Sequence, residues 1–125
     1  MEAIILAGGE GSRLKPLTNT KCKPAIEFAG QHKIIDVTLS NALNSKLYEI
    51  YILTQFLAPS LNNYITNSYP NQPITLKTPK NFHDKNQCYL GTADAVRKNL
   101  SIINDSKAKY FLILSGDQIF SLVIF

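Results

Sequence analysis

The sequence predicts an α/β fold, a mostly parallel sheet with helices on both faces. Short apolar runs alternate with segments whose apolar residues recur at helical spacing. The order strand, loop, helix, strand, helix, strand, helix, strand is the alternation that builds parallel pairs through crossovers. The two segments that carry glycine beside charge both follow strands. They would therefore share one edge of such a sheet, where α/β proteins bind ligands. At 125 residues, 45% hydrophobic and 18% charged, the chain is an ordinary soluble globular sequence, long enough for one domain with a real core.

Ala3–Ala7 reads as a buried strand, and residues 8–23 as a loop broken by glycines and Pro16. Ile35, Leu39, Leu43 and Leu47 recur every four positions, so this segment reads as an amphipathic helix. Ile50–Leu53 is the second strand. Leu57, Leu61, Tyr64 and Ile65 mark another helix, with Pro59 tolerable in its first turn. Residues 66–91 are less regular, with Pro70, Pro73, Pro79 and many asparagines, and hold a short strand at Ile74–Lys77. Ala93, Val96, Leu100 and Ile103 give a third helical stripe, with Thr92 as N-cap and Asp94 in its first turn. Tyr110–Leu114 is a final buried strand, running into Ser115-Gly116-Asp117. Internal repeats and low-complexity tracts are absent.

Cys22 and Cys88 have neither CxxC spacing nor a metal-type cluster and read as reduced thiols. The chain starts directly on a strand pattern, with no signal peptide and no run long enough to span a bilayer, so the expectation is a cytoplasmic protein without a membrane partner. The net charge of +4 is modest, but residues 11–26 hold Arg13, Lys15, Lys21 and Lys23 and no acidic residue. A small anionic ligand accounts for that clustering, and so does a solvated basic loop. Nucleic acid fits less well, because no long basic run or RNA-binding aromatic signature accompanies it.

Gly8, Gly9 and Gly11 follow the first strand, and Arg13 comes next. Glycines let main-chain N–H groups approach phosphate oxygens closely, and arginine supplies charge. A tight turn beside a surface arginine is the plainer reading. Two known motifs are excluded: Leu14 stands where a dinucleotide fingerprint needs its third glycine, and Ser12-Arg13 does not supply the lysine–hydroxyl pair of a P-loop. Lys23 precedes Pro24, which biases it to an extended backbone from which its ammonium could reach an α-phosphate; a plain surface lysine is the alternative. Asp117, behind Gly116 at a strand end, suits a magnesium site completed by substrate phosphates and water, or else simply forms a turn. Gly91 and Thr92 at a helix start could let a base or ribose lie against the backbone, and Gln55 could hydrogen-bond in the same cleft; capping and loop polarity are the alternatives. Asp36 and Asp94 look structural, as helix N-terminal charges, and His32 and His83 are ordinary polar positions.

Leu6-Ala-Gly-Gly-Glu-Gly-Ser-Arg-Leu-Lys-Pro-Leu-Thr18 resembles the signature of sugar-nucleotide pyrophosphorylases. Lys23-Pro-Ala-Ile-Glu-Phe-Ala-Gly30, Ile34–Asn41, Asn44-Ser45, Leu53-Thr-Gln55, Gly91–Val96 and Ser115-Gly-Asp-Gln118 continue it in order. Together they are similar to the glucose-1-phosphate adenylyltransferase, or ADP-glucose pyrophosphorylase, family over nearly the whole chain. The resemblance implies a Rossmann-like nucleotidyltransferase domain, of which residues 1–125 are the N-terminal nucleotide-binding part. It implies transfer of AMP from ATP to glucose 1-phosphate with Mg²⁺, giving ADP-glucose for glycogen or starch and pyrophosphate, and a homo-oligomer for a full-length protein. Gly8, Gly9, Gly11 and Arg13 match the triphosphate loop, with Arg13 its catalytic arginine. Lys23 matches the phosphate-contacting lysine, Asp117 the metal-binding aspartate, and Gly91 and Thr92 the adenosine site.

Leu90 departs from the family pattern, which has a glutamine that reads adenine, and Val123 stands where that pattern has an aspartate. The family's sugar-phosphate pocket, second metal-binding aspartate and C-terminal β-helix lie beyond Phe125. Ile119–Phe125 is nearly all apolar and aggregation-prone if exposed, so a truncated chain that binds ATP without turnover is expected. A non-catalytic nucleotide-binding remnant, and a pyrophosphorylase for another nucleotide sugar, remain alternatives.

Overall fold

Strand β1 (Glu2–Ala7) lies inside a four-stranded parallel sheet of order β5-β4-β1-β6, with β4 at Ile50–Thr54, β5 at Ile74–Lys77 and β6 at Phe111–Ser115. The computed structural model describes residues 1–9, 16, 19–28, 30–81 and 83–118. In register, Ala3 faces Ile50 and Leu112, and Leu6 faces Leu53 and Ser115, so the carboxyl ends of β1, β4 and β6 share one edge. Ala3, Ile4, Ile5 and Ala7 are buried, which is why β1 is an unbroken apolar run and not an alternating one.

Helices cover both faces. On one, Ile5, Ile50, Ile52 and Leu114 meet Ile35, Leu39 and Ala42 of α1 (Ile34–Asn44) and Leu61 and Ile65 of α2 (Ala58–Ser68). On the other, Ile4 and Leu53 meet Ala95 of α3 (Thr92–Lys98) and Ile102 of α4 (Leu100–Asp105). The chain runs β1 to β4 to β5 in one direction and then returns to place β6 on the opposite side of β1. That reversal opens a crevice beyond the strand ends. Among the described residues no helix is long and apolar enough to cross a membrane, and both cysteines are free thiols.

Several elements differ from the sequence expectation. Lys23 is not extended: it heads a 3₁₀ turn, Lys23–Ala25, closed by Ala25 N–H to Cys22 O (2.9 Å) and Ile26 N–H to Lys23 O (3.1 Å). Proline suits the start of such a turn because its missing N–H leaves no bond unmade there. A small hairpin, β2 (Glu27–Phe28) with β3 (His32–Lys33), follows; two residues per strand are too few to show a period. Gly30, at φ +83°, supplies its left-handed turn. α1 stops at Asn44, where the Ser45 hydroxyl donates to Asn41 O (2.8 Å) and Lys46 turns left-handed (φ 54°), so Leu47 packs on the core from outside the helix. Leu57 likewise precedes α2, in a left-handed conformation.

The expected third helix is two. Asn99 breaks it at φ −115°, ψ 23°, its amide donating to Ala95 O (2.8 Å) and to the Tyr89 hydroxyl (3.0 Å). Thr92 is the first helical residue and not the cap. Gly91 holds the cap position without a side-chain bond, and Asp94 reaches back to accept the Leu90 N–H (2.9 Å). The final strand is less buried than expected: Tyr110 lies outside it and Ile113 is 52% exposed. β6 is an edge strand of the described sheet, as β5 is at the other side, and its second face extends past the cover of α3 and α4.

Asp36 is buried between α1 and α2. Its carboxylate accepts the Lys33 N–H (2.7 Å), the Tyr64 hydroxyl (2.6 Å) and the Tyr69 hydroxyl (2.5 Å). Burial, reinforced by that hydrogen-bonded anion, pushes the Tyr64 phenol from 10.0 up to about 12 and raises Tyr69 as well. Above the ordinary tyrosine value the unfolded chain ionises first, so this contribution is complete below pH ~10 and is lost as pH climbs toward ~12. Denaturant midpoints should therefore fall between pH 9 and 11.5 and fall less in Tyr64→Phe/Tyr69→Phe. Equal slopes in the two proteins would refute this origin.

Candidate functional site

A cavity of about 420 Å³ opens at the carboxyl edge of the sheet. Leu6, Leu53 and Ala95 form its apolar floor. Four chain segments meet around it: Gly8-Gly9 after β1, Gln55 after β4, Tyr89–Thr92 entering α3, and Ser115 with Asp117 after β6. Their convergence follows from parallel pairing, which brings successive strand ends to one side.

Gly8 sits where a side chain would be crowded. A Cβ there would lie 3.3 Å from Gln55 Cβ and 3.6 Å from the Tyr89 ring. Gly9 and Gly91 differ: a Cβ on either meets nothing within 4 Å, so these two keep the cavity open without being demanded by packing. Gln55 grips the opposite wall with both ends of its amide. Its Nε2 donates to Tyr89 O (3.0 Å) and its Oε1 accepts the Tyr89 N–H (2.5 Å). Its main bonding is therefore to the protein's own backbone, a use the sequence reading did not foresee. Beyond Tyr89, Asp94 fixes the start of α3. The Lys98 ammonium, the Leu90 amide and the Arg97 guanidinium hold its carboxyl well below the usual carboxylate range.

The polar corner lies at the end of β6. Gly116 N–H donates to Leu6 O (2.9 Å), and a Cβ on Gly116 would sit 3.2 Å from that same oxygen and from Ala7 Cβ. The turn thus presses backbone to backbone against β1, where any side chain would force its neighbours back by a few tenths of an ångström. The buried Thr38 hydroxyl bonds the carbonyls of Ser115 (3.2 Å) and Gln118 (3.3 Å), pinning the turn from α1. The Asp117 carboxylate bonds the Ser115 hydroxyl through Oδ1 and pairs with Lys23 Nζ through Oδ2 at 3.2 Å. Next to Lys23, burial pushes the Cys22 thiol up, leaving it neutral and unreactive.

Gly8, Gly9, Gln55, Gly91, Thr92 and Asp117 all line this cavity, and Lys23 joins it through Asp117. Gly11, Arg13, Val123 and the Ile119–Phe125 run lie outside the described residues. Tyr89, Ser115, Gly116 and Thr38 were not singled out as site residues by sequence. Of these, only Gly116 carried a signal, as a glycine between a buried strand and a charged turn. Among the described residues no cluster of three or more His, Cys, Asp or Glu side chains could enclose a metal. A single hard carboxylate at the cavity edge, fixed by Ser115, still fits magnesium, which binds mainly through substrate phosphates and water.

The sequence profile of the nucleotidyl transferase family matches residues 2–123. A glucose-1-phosphate adenylyltransferase from Koribacter versatilis is 44% identical over 126 aligned residues, covering 95% of this chain and 30% of that relative. One from Thermosipho africanus is 42% identical, covering 96% of this chain and 31% of its own length. The chain thus spans about a third of the length of these relatives. Among solved structures, a Bacillus anthracis protein provisionally assigned as a glucose-1-phosphate thymidylyltransferase superposes with a TM-score of 0.75 at 24% identity. It covers 97% of this chain and 46% of that one. That likeness establishes the Rossmann-like fold.

Proposed function

The chain belongs to the nucleotidyl transferase family, and from that premise we propose that its cavity holds ATP for transfer of AMP to glucose 1-phosphate, giving ADP-glucose and pyrophosphate. The observation that carries this reading is the joining of a glycine-lined strand end, an apolar-floored cavity and the Lys23–Asp117 pair on one edge of the sheet. The apolar floor of Leu6, Leu53 and Ala95 suits a flat base, and Gly91 and Thr92 leave space for the ribose. Gln55 holds the wall against which the nucleoside rests.

In the transfer, an oxygen of the sugar phosphate attacks the α-phosphorus in line. The bond to the bridging oxygen breaks, and pyrophosphate leaves with the electron pair. The protein's task is positioning and charge neutralisation. Main-chain groups at Gly8, Gly9 and Gly11 and the guanidinium of Arg13 take the β- and γ-phosphates, and Lys23 takes the α-phosphate. Asp117 would hold Mg²⁺, which supplies charge neutralisation on the phosphates. Residues 1–125 are, on this reading, the N-terminal nucleotide-binding part of a cytoplasmic enzyme that is a homo-oligomer at full length and has neither nucleic acid nor membrane as partner.

A second reading, another nucleotide sugar, is favoured by one observation. Leu90, 67% exposed at the cavity edge, offers a base an apolar surface and no side-chain hydrogen bond to its rim. Titration calorimetry with Mg²⁺ and ATP, UTP, GTP and dTTP analogues separates the two. ATP is expected to bind at least tenfold more tightly than the others, about 1.4 kcal/mol. Preference for another base installs the second reading, and no binding of any triphosphate sinks both.

A further inference from the structure

We propose that the Lys23–Asp117 ion pair is a latch on the phosphate end of the cavity, one that admits a triphosphate and its divalent cation together and resists either alone. The inference rests on the nucleotide-binding reading above and adds to it a coupling between the two ligands.

Both charges stand on anchored backbone. Lys23 heads the 3₁₀ turn whose flanking Cys22 and Pro24 are buried. Asp117 sits on the turn that Gly116 presses against β1 and Thr38 ties to α1. The Ser115 hydroxyl holds Oδ1 in place, leaving Oδ2 to face the ammonium at 3.2 Å. Each side chain is 32% exposed, so water already reaches the pair and its resistance is modest, on the order of the fivefold that the test reads.

Each member occupies the other's ligand position. A metal-free triphosphate that captures Lys23 leaves the Asp117 carboxylate bare beside phosphate oxygens. A bare cation that captures Asp117 leaves an ammonium facing it. Only when both arrive does every charge regain an opposite partner, phosphate on Lys23 and cation on Asp117. Coupling of this kind is reciprocal: the cation raises triphosphate affinity by the same factor as the triphosphate raises cation affinity.

The test is a double-mutant cycle read by binding, not turnover. Affinity for a non-hydrolysable ATP analogue is measured by calorimetry in EDTA and in Mg²⁺, for the parent chain, Lys23→Gln, Asp117→Asn and the double variant. With Lys23 held by Asp117, Lys23→Gln should change metal-free affinity by less than about twofold in the parent but by about fivefold or more in the Asp117→Asn background. Asp117→Asn alone should tighten metal-free binding by about fivefold, since it frees the ammonium. An equal effect of Lys23→Gln in both backgrounds overturns the latch and leaves the nucleotide site standing. Absence of binding in every protein, Mg²⁺ included, overturns both. Far-UV circular dichroism checks each fold, and Asp117→Ser repeats the cycle should Asn not fold.

Discussion

Asp36→Ala is expected to lower stability by about 3–5 kcal/mol, more than any other single substitution considered for this chain. The lost carboxylate is the shared acceptor of three donors, the Lys33 N–H, the Tyr64 hydroxyl and the Tyr69 hydroxyl, drawn from the start of α1, from α2 and from the residue that ends it. Alanine deprives all three of this acceptor; the Tyr64 hydroxyl keeps a hydrogen bond with Ser68, and each donor left unmatched costs about 1–3 kcal/mol. The surroundings do not compensate. Lys33 Nζ lies over the Tyr64 ring at 4.8 Å and is committed to Ala25 O and the Glu27 carboxylate, so it offers the stranded donors no acceptor.

Removing the donors instead is gentler. Tyr64→Phe and Tyr69→Phe each delete one bond to Asp36, about 1 kcal/mol apiece, and the exposed Ser68 that Tyr64 also bonds turns to water. The ordering Asp36→Ala well below Tyr64→Phe/Tyr69→Phe is thus the sharper test, read from urea midpoints at pH 7. The two phenylalanines added to Asp36→Ala should restore part of the loss, because they remove two of the hydroxyls that lost this acceptor. If alanine at 36 proves no worse than the double phenylalanine variant, the carboxylate is not the junction described here.

The sheet was legible in the sequence because burial writes it plainly. β1 is an uninterrupted apolar run that is buried on both faces, and β5 appears between turn residues with the bounds Ile74–Lys77 that its pattern suggests. The alternation of elements then fixed which strand ends share an edge, and so brought Gly8, Gly9, Gln55, Gly91, Thr92 and Asp117 to one cavity. What could not be read are contacts that need the closed fold. The pairing of Lys23 with Asp117 joins the first loop to the last described turn, and no local pattern records it. Asn99 was hidden inside a helical stripe, since periodicity sees side-chain polarity and not the backbone bond its amide replaces. Asp36 was legible as a helix N-terminal charge but not as the acceptor of a tyrosine from α2 and of the one that ends it.

Gln55→Leu should weaken nucleotide binding by up to about 30-fold while leaving the global fold intact. The figure follows from the two bonds its amide makes to the Tyr89 main chain, 3.0 Å and 2.5 Å. At about 1 kcal/mol net for each, their loss makes the ordered wall about 2 kcal/mol less favourable. A ligand that needs the wall in place then binds only the fraction that retains it, so the loss has a ceiling of about 30-fold and is smaller the more stable the wall was. Leucine fills similar volume, so the contact at Gly8 survives and the sheet has no reason to unfold. Hydrogen exchange at the Tyr89 amide reads the wall directly, without any ligand, and should lose protection in Gln55→Leu. Gln55→Glu keeps the acceptor for that N–H but meets the Tyr89 carbonyl with a second oxygen, so it should fall between the two in exchange and in affinity. An unchanged Tyr89 exchange rate in Gln55→Leu would show that the wall is held by something other than this amide.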